Sequence, residues 1–129
     1  MINRSRLLLA LALVALASVA AGCGSEGISV PKDDAQAYTG AQIFSERCGG
    51  CHTIAAAGTT GSKPEGEVNS KDRTNGPNFD TRKETYLSAI TAIRQGGFSG
   101  AIMPGNIVTG QDAKDVATFL AKYSGKNPD

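Results

Sequence analysis

The five residues Cys48-Gly49-Gly50-Cys51-His52 constrain this chain more than any other segment. The pattern Cys-x-x-Cys-His is the signature for covalent attachment of haem. The two thiols bond to the vinyl-derived carbons at one edge of the porphyrin, and the two intervening residues let both sulfurs reach that edge. His52 then lies under the iron and supplies an imidazole nitrogen. We therefore expect a chain that folds around one covalently attached haem.

A Cys-x-x-Cys pair without the histidine is ambiguous, because dithiol redox proteins and zinc sites also use it. His52 is the only histidine of the chain, and Cys23 is the only other cysteine. A structural zinc site would need two further Cys or His ligands, and carboxylates seldom replace them. A dithiol oxidoreductase would need a strand–helix–strand setting, which this sequence does not predict. Both alternatives stay open beside the haem prediction.

The composition agrees with a domain that contains a large apolar cofactor. The chain has 129 residues, no tryptophan, 5% aromatic residues and 16 glycines. This is a small supply of large apolar side chains for a core, and a haem would add to it. The formal net charge of +1 gives no reason to expect a nucleic-acid partner.

The amino-terminal residues have the pattern of a secretory signal. Arg4 and Arg6 precede an apolar run from Leu7 to Ala21. This run is short for a transmembrane helix, which needs about 20 residues. We predict a signal peptide over residues 1–22 and an exported protein, in agreement with haem attachment outside the cytoplasmic membrane.

The run ends in Ala20-Ala21-Gly22-Cys23, which resembles a bacterial lipobox, although Ala20 stands where leucine is preferred. We predict that Cys23 carries a diacylglycerol and that residues 23–36 form a flexible linker to the folded domain, because they are small and polar. Conventional cleavage near Ala21 and an uncleaved anchor are the alternatives for the signal. An extended arm packed on the domain is the alternative for the linker.

Residues 37–125 are predicted to form one all-α domain. Expected helices run over residues 40–47 after a Thr39 cap, over 82–95 after Asp80 or Thr81, and over 110–123 after Thr109. Apolar stripes predict the buried faces of the last two helices: Tyr86, Leu87, Ala89, Ile90 and Ile93 on one, and Ala113, Val116, Ala117, Phe119, Leu120 and Tyr123 on the other. The glycine-rich segment 53–75 is predicted to be a surface loop, and no alternating strand is predicted.

These features together resemble the class I cytochrome c family over roughly residues 37–125. Three groups of residues carry the resemblance in addition to the haem motif. They are Gly40 and Phe44 before the motif, Gly76-Pro77-Asn78-Phe79 after it, and Met103-Pro104 ahead of a terminal helix with Val116 and Phe119.

The resemblance implies a small helical domain wrapped around one covalent haem c. It implies that Gly40 lets the first and last helices cross closely, with Phe44 packed at the crossing. The Pro77 carbonyl would accept the ring N–H of His52. Met103 would be the sixth iron ligand, although a methionine in this position could also be a core residue. Phe79 departs from the leucine that is commoner in the family.

With both axial positions filled by protein, the resemblance implies an electron carrier and not an enzyme. We expect it to be anchored by lipid on the outer face of the cytoplasmic membrane. Its expected partners are a respiratory donor complex and a terminal oxidase or other acceptor. Two other classes remain open: a haem sensor in which Met103 dissociates, and a haem-bearing subunit of a redox enzyme.

Overall fold

The computed structural model describes residues 27–61, 76–97 and 103–126. The predicted signal peptide, the predicted lipid site Cys23 and residues 62–75 of the predicted loop lie outside the described residues. The described part contains three α-helices and one short hairpin: α1 (Ala35–Arg47), β1 (Thr53–Ile54), a 3₁₀ turn (Ala55–Ala57), β2 (Thr59–Thr60), α2 (Tyr86–Gln95) and α3 (Gly110–Tyr123). The prediction of a small all-α domain is confirmed. No helix in these three ranges has the length and hydropathy of a membrane span.

The first and last helices cross at Gly40, as the family resemblance implies. A Cβ atom built on Gly40 would overlap the Asp115 carbonyl oxygen and would lie 2.6 Å from its carbonyl carbon and 2.9 Å from the Cβ of Phe119. Only glycine therefore permits this approach of α1 to α3. Gln36 and Gln111 both donate hydrogen bonds to Asp115 Oδ1, at 3.0 and 2.7 Å, which satisfies this buried carboxylate at the crossing.

Aromatic rings fill the space below the helix crossing. Phe44 is 1% exposed and Phe119 is fully buried, and their ring centroids lie 5.6 Å apart. The core also contains smaller apolar side chains from the three helices, β1 and the 3₁₀ turn: Ala37, Ala41, Ile54, Ala57, Ala89, Ile90, Ile93, Ala113, Val116, Ala117 and Leu120. The predicted buried face of α3 is thus confirmed, except that Tyr123 is only partly buried.

The first helix begins earlier than predicted. It starts at Ala35, and Thr39 lies inside it rather than at its cap. Ala35, Gln36 and Ala37 are good helix formers, and Ala37 is fully buried, so burial extends the helix toward the amino terminus. The carboxylate of Asp34, the residue before the helix, makes no capping hydrogen bond and instead accepts from Lys122.

The second helix begins later than predicted. It starts at Tyr86, and Thr85 and Ser88 form a reciprocal capping box, so neither Asp80 nor Thr81 is the cap. Residues 81–85 instead lead into the helix, and the Glu84 N–H donates to the Ser124 hydroxyl at 2.8 Å. Because the helix starts here, two residues of the predicted buried face are exposed, Tyr86 at 42% and Leu87 at 73%.

The start of the predicted surface loop is ordered and partly buried. Thr53 pairs with Thr60 and Ile54 with Thr59 in an antiparallel hairpin. Ile54 is fully buried. Gly58, at the end of the 3₁₀ turn, has a φ of 65°, which glycine adopts without strain.

Residues 27–34, which we assigned to a flexible linker, lie against the domain. The Ser29 N–H donates to the Ala56 carbonyl at 3.1 Å, and Val30 is 4% exposed. Further along, Lys122 Nζ contacts both carboxylate oxygens of Asp34, at 2.8 and 2.9 Å. This arm therefore corresponds to the packed alternative, because apolar and charged side chains of the linker find partners on the domain surface.

Candidate functional site

The haem motif forms a tight turn directly after α1. The N–H groups of Cys48 and Gly49 both donate to the Phe44 carbonyl at 2.8 Å, and those of Cys51 and His52 both donate to the Cys48 carbonyl at 3.0 Å. This winding brings the two cysteines and the histidine together within little more than one turn of chain. The local sequence thus positions all three groups that haem attachment requires.

The two glycines of the motif are not equivalent. A Cβ on Gly49 would lie 2.6 Å from the Ser45 carbonyl oxygen and 2.7 Å from Cγ2 of Thr59, whereas no atom of the described residues lies within 4 Å of a Cβ on Gly50. Gly49 is required for packing of the motif against the hairpin. Gly50 makes no such contact with the described part of the chain.

The ring of His52 is oriented by the predicted hydrogen bond. Nδ1 of His52 lies 3.1 Å from the Pro77 carbonyl oxygen. Because a carbonyl can only accept, the proton of the neutral ring belongs on Nδ1. Nε2 then keeps its lone pair, which is the form that binds a metal.

Two further residues fix the plane of the His52 ring. A Cβ on Gly76 would touch Cε1 of the ring and lie 2.7 Å from Nδ1 and 2.9 Å from Nε2, so the ring packs directly against this glycine. Phe79 stacks on the ring with centroids 4.9 Å apart and planes 17° apart. Both residues lie in the segment 76–79 that carries the family resemblance, but neither was predicted to contact the histidine.

Phe79 is itself held rigidly from two sides. Its N–H donates to the Thr53 carbonyl and its carbonyl accepts from the Gly125 N–H, both at 2.8 Å. Phe44 meets its ring edge-on, with centroids 6.0 Å apart. The stack on His52 is therefore tied to the hairpin and to the end of α3.

Burial decides the ionisation of the site. It lowers the pKa of His52 below its ordinary value, and the hydrogen bond to Pro77 offsets only part of this effect. The ring is therefore neutral at neutral pH, as ligation requires.

Burial, with a smaller contribution from the nearby Cys51 thiol, raises the pKa of Cys48 to about 12. Cys48 is buried and Cys51 is exposed.

Met103 lies in the segment between α2 and α3. Its side chain is partly buried and packs against the core. Its carbonyl accepts from the Gly97 N–H at 3.2 Å, and the Asn106 N–H donates to the Ile93 carbonyl at 2.7 Å, so residues 103–106 are fastened to the end of α2. Residues 98–102 of the loop lie outside the described residues.

Across residues 27–61, 76–97 and 103–126, no three His, Cys, Asp or Glu side chains form a metal-binding cluster. The described residues therefore contain no cluster that could bind the zinc of the alternative prediction. They do contain one neutral imidazole next to two thiols in the attachment spacing, and this donor set fits a covalent haem.

The family model described as "Cytochrome c" matches residues 37–124 of the chain. The chain belongs to the cytochrome c family. It is also similar to the c-type cytochrome SorU from Sinorhizobium meliloti, with 32% identity and a TM-score of 0.54 over 72% of this chain and 95% of that chain. No curated protein matches the chain.

The cofactor of this c-type cytochrome is haem c, and membership of the family implies electron transfer. Cys48 and Cys51 would form the two thioethers, and His52 would supply the axial nitrogen. When bound, the haem supplies a one-electron redox couple. The protein contributes the orientation of His52 through Pro77, Gly76 and Phe79, together with an apolar surrounding.

A methyl group at Gly76 should disturb the histidine. In Gly76→Ala the new Cβ would occupy space taken by the His52 ring, whose other surroundings include the firmly held Phe79. We expect weakened axial ligation, measured as a high-spin fraction in the absorption spectrum of the ferric protein. Gly50→Ala is the matched control, since its Cβ meets nothing. Unchanged spectra in both variants would contradict the packing of His52 on Gly76.

Proposed function

We propose that this cytochrome is a single-haem electron carrier, and not an enzyme, with His52 and Met103 as its two axial ligands. The observation that carries the proposal is the 3.1 Å distance between Nδ1 of His52 and the Pro77 carbonyl oxygen, a contact that orients the ring as a permanent ligand. A permanent ligand on each side leaves the iron no open position for a substrate. The task of the protein is then to hold one electron and pass it on.

The placement of Met103 supports its assignment as the second ligand. Met103 is one of only two methionines in the chain, and the other is the initiator. It lies in a segment next to Pro104 and Gly105 and not on the apolar stripe of a helix. A thioether is a soft donor that favours ferrous iron and raises the reduction potential.

We further propose that the carrier is exported and is held by a lipid on Cys23 at the outer face of the cytoplasmic membrane. The basic residues, apolar run and lipobox-like segment before Cys23 support this location. Its partners would be a respiratory donor complex and a terminal oxidase or other acceptor, since a membrane-held carrier meets other membrane-held complexes.

Met103→Ala tests the ligand assignment and with it the function. The variant should lose the weak near-infrared charge-transfer band of sulfur–iron ligation, bind carbon monoxide when reduced, and show a lower reduction potential. Ile107→Ala is the matched control, because Ile107 is a partly buried apolar residue near Met103 that cannot ligate iron. It should keep the band and exclude carbon monoxide. If the wild type binds carbon monoxide readily and lacks the band, the iron is open and the sensor alternative replaces the carrier.

Cys23 should be the first residue of the mature chain. Intact mass spectrometry of the membrane fraction is expected to show a diacylglycerol on it, and Cys23→Ser should move the haem-containing domain into the soluble fraction. An unmodified Cys23 thiol, or a Cys23→Ser protein that stays on the membrane, would instead indicate a conventional signal or a peptide anchor.

A further inference from the structure

The arm before α1 fixes the point at which the chain leaves the domain. At Gly27 and Gly58 the two backbones are in contact: a Cβ on Gly58 would lie 2.8 Å from the Gly27 carbonyl oxygen. From there the arm continues through the Ser29–Ala56 hydrogen bond and the buried Val30. The amino-terminal exit therefore lies beside the hairpin and not at the start of α1.

The distance from this exit to Cys23 is short. Four peptide units separate Cys23 from Gly27, and even a fully extended chain of this length spans only about 14 Å. A lipid on Cys23 would hold the hairpin close to the membrane surface. The arm itself would add no slack to this tether, because contacts that continue to the Lys122–Asp34 ion pair fasten it to the domain.

The surface at this exit suits an approach to lipid headgroups. We define the arm–hairpin surface as residues 27–30 and 53–61, neither of which contains a charged side chain. Gly27, Ser29, Ala55 and Gly58 are its exposed members. Small uncharged groups can approach a headgroup layer without the large cost of desolvating an ion. Asp80 adjoins this surface, and its Oδ1 accepts the Ala55 N–H at 2.8 Å.

We propose that the arm–hairpin surface faces the membrane, so that the anchored cytochrome is held in one orientation rather than on a freely swinging tether. This inference rests on the proposed lipid at Cys23 and adds to it the side of the domain that contacts the bilayer.

A test of this orientation needs one position on the arm–hairpin surface and one far from it, and the two ends of α1 provide such a pair. Gly49, just after α1, packs on Thr59 of the hairpin, whereas Gln36 at the start of α1 shares Asp115 with Gln111. The thirteen residues of α1 span about 20 Å. Position 55 therefore lies on the membrane-facing surface, and position 112, next to Gln111, lies at the far end of α1.

The experiment compares Ala55→Cys with Asp112→Cys in the lipid-modified, haem-loaded protein on phosphatidylcholine vesicles. Both positions are exposed, and the native cysteines are occupied by haem and lipid. The measurement is the rate of reaction with a bulky water-soluble maleimide, followed by gel shift. We expect position 55 to react several-fold more slowly than position 112.

A third protein carries Ala55→Cys and about twelve Gly/Ser residues inserted between Cys23 and Gly27, which add about 20 Å of mean reach. It should recover the faster rate.

The outcomes separate this inference from the proposed anchor. Slow reaction at position 55 that the insertion relieves supports the orientation. Equal rates at positions 55 and 112, with the lipid present in the mass spectrum, would overturn the orientation and leave the anchor intact. A mass spectrum without lipid on Cys23 would remove the anchor and the orientation together.

Discussion

A protein in which Cys48 and Cys51 are both replaced by alanine should carry no covalent haem. Each thioether requires one of these sulfurs, and the other cysteine, Cys23, lies outside the motif. Without a bonded haem the domain must rely on a core with few large side chains, so we also expect loss of the folded state. The measurement is a peroxidase stain for haem after denaturing gel electrophoresis, with circular dichroism for helix content.

Gly50→Ala provides the control for this experiment. It changes the same motif by one methyl group, and no atom of residues 27–61, 76–97 or 103–126 lies within 4 Å of the new atom. It should keep a full haem stain and normal helix content. A haem stain that persists in the double alanine variant would show that the haem is attached elsewhere and that the assignment of the motif is wrong.

Gly40→Val should strongly destabilise the folded protein. Its Cβ alone would overlap the Asp115 carbonyl oxygen, and it would lie 2.9 Å from the Cβ of Phe119. Overpacking typically costs 1–3 kcal/mol. Because the obstacle is helix backbone and not a flexible side chain, we expect about 3 kcal/mol or more in the free energy of unfolding. Chemical denaturation, followed by haem absorbance, measures it.

Thr39→Val is the matched control for Gly40→Val. It places the same β-branched side chain one residue earlier in the same helix, at an exposed position. Its expected change in unfolding free energy is small, because surface substitutions usually fall within about 0.5 kcal/mol. Equal stability of the two variants would mean that α1 and α3 do not cross at Gly40.

The haem site followed largely from local sequence. The attachment motif is recognisable from five adjacent residues. The Pro77 hydrogen bond to His52 and the close helix crossing at Gly40 were implied by the family resemblance, and the structure contains both. The predicted bounds of α3 were also correct, although the Thr109 side chain makes no capping hydrogen bond.

The helix starts were less predictable. Thr39, Asp80 and Thr81 are all residue types that cap helices, and nothing local tells which candidate is used. The reciprocal bonds of Thr85 and Ser88 determine the start of α2. Burial of Ala37 against the core extends α1 beyond Thr39.

By itself the sequence predicted a covalent haem and the residues that would hold it, because the attachment motif is made of neighbours in the chain. Only the tertiary structure decided that Phe79 stacks on His52 and that the arm lies on the hairpin. Both depend on contacts between segments that are distant in the chain. The Gly125 N–H donates to the Phe79 carbonyl, and Asp34 pairs with Lys122, which is 88 residues away. No local pattern encodes such contacts, since each partner alone resembles an ordinary surface or core residue.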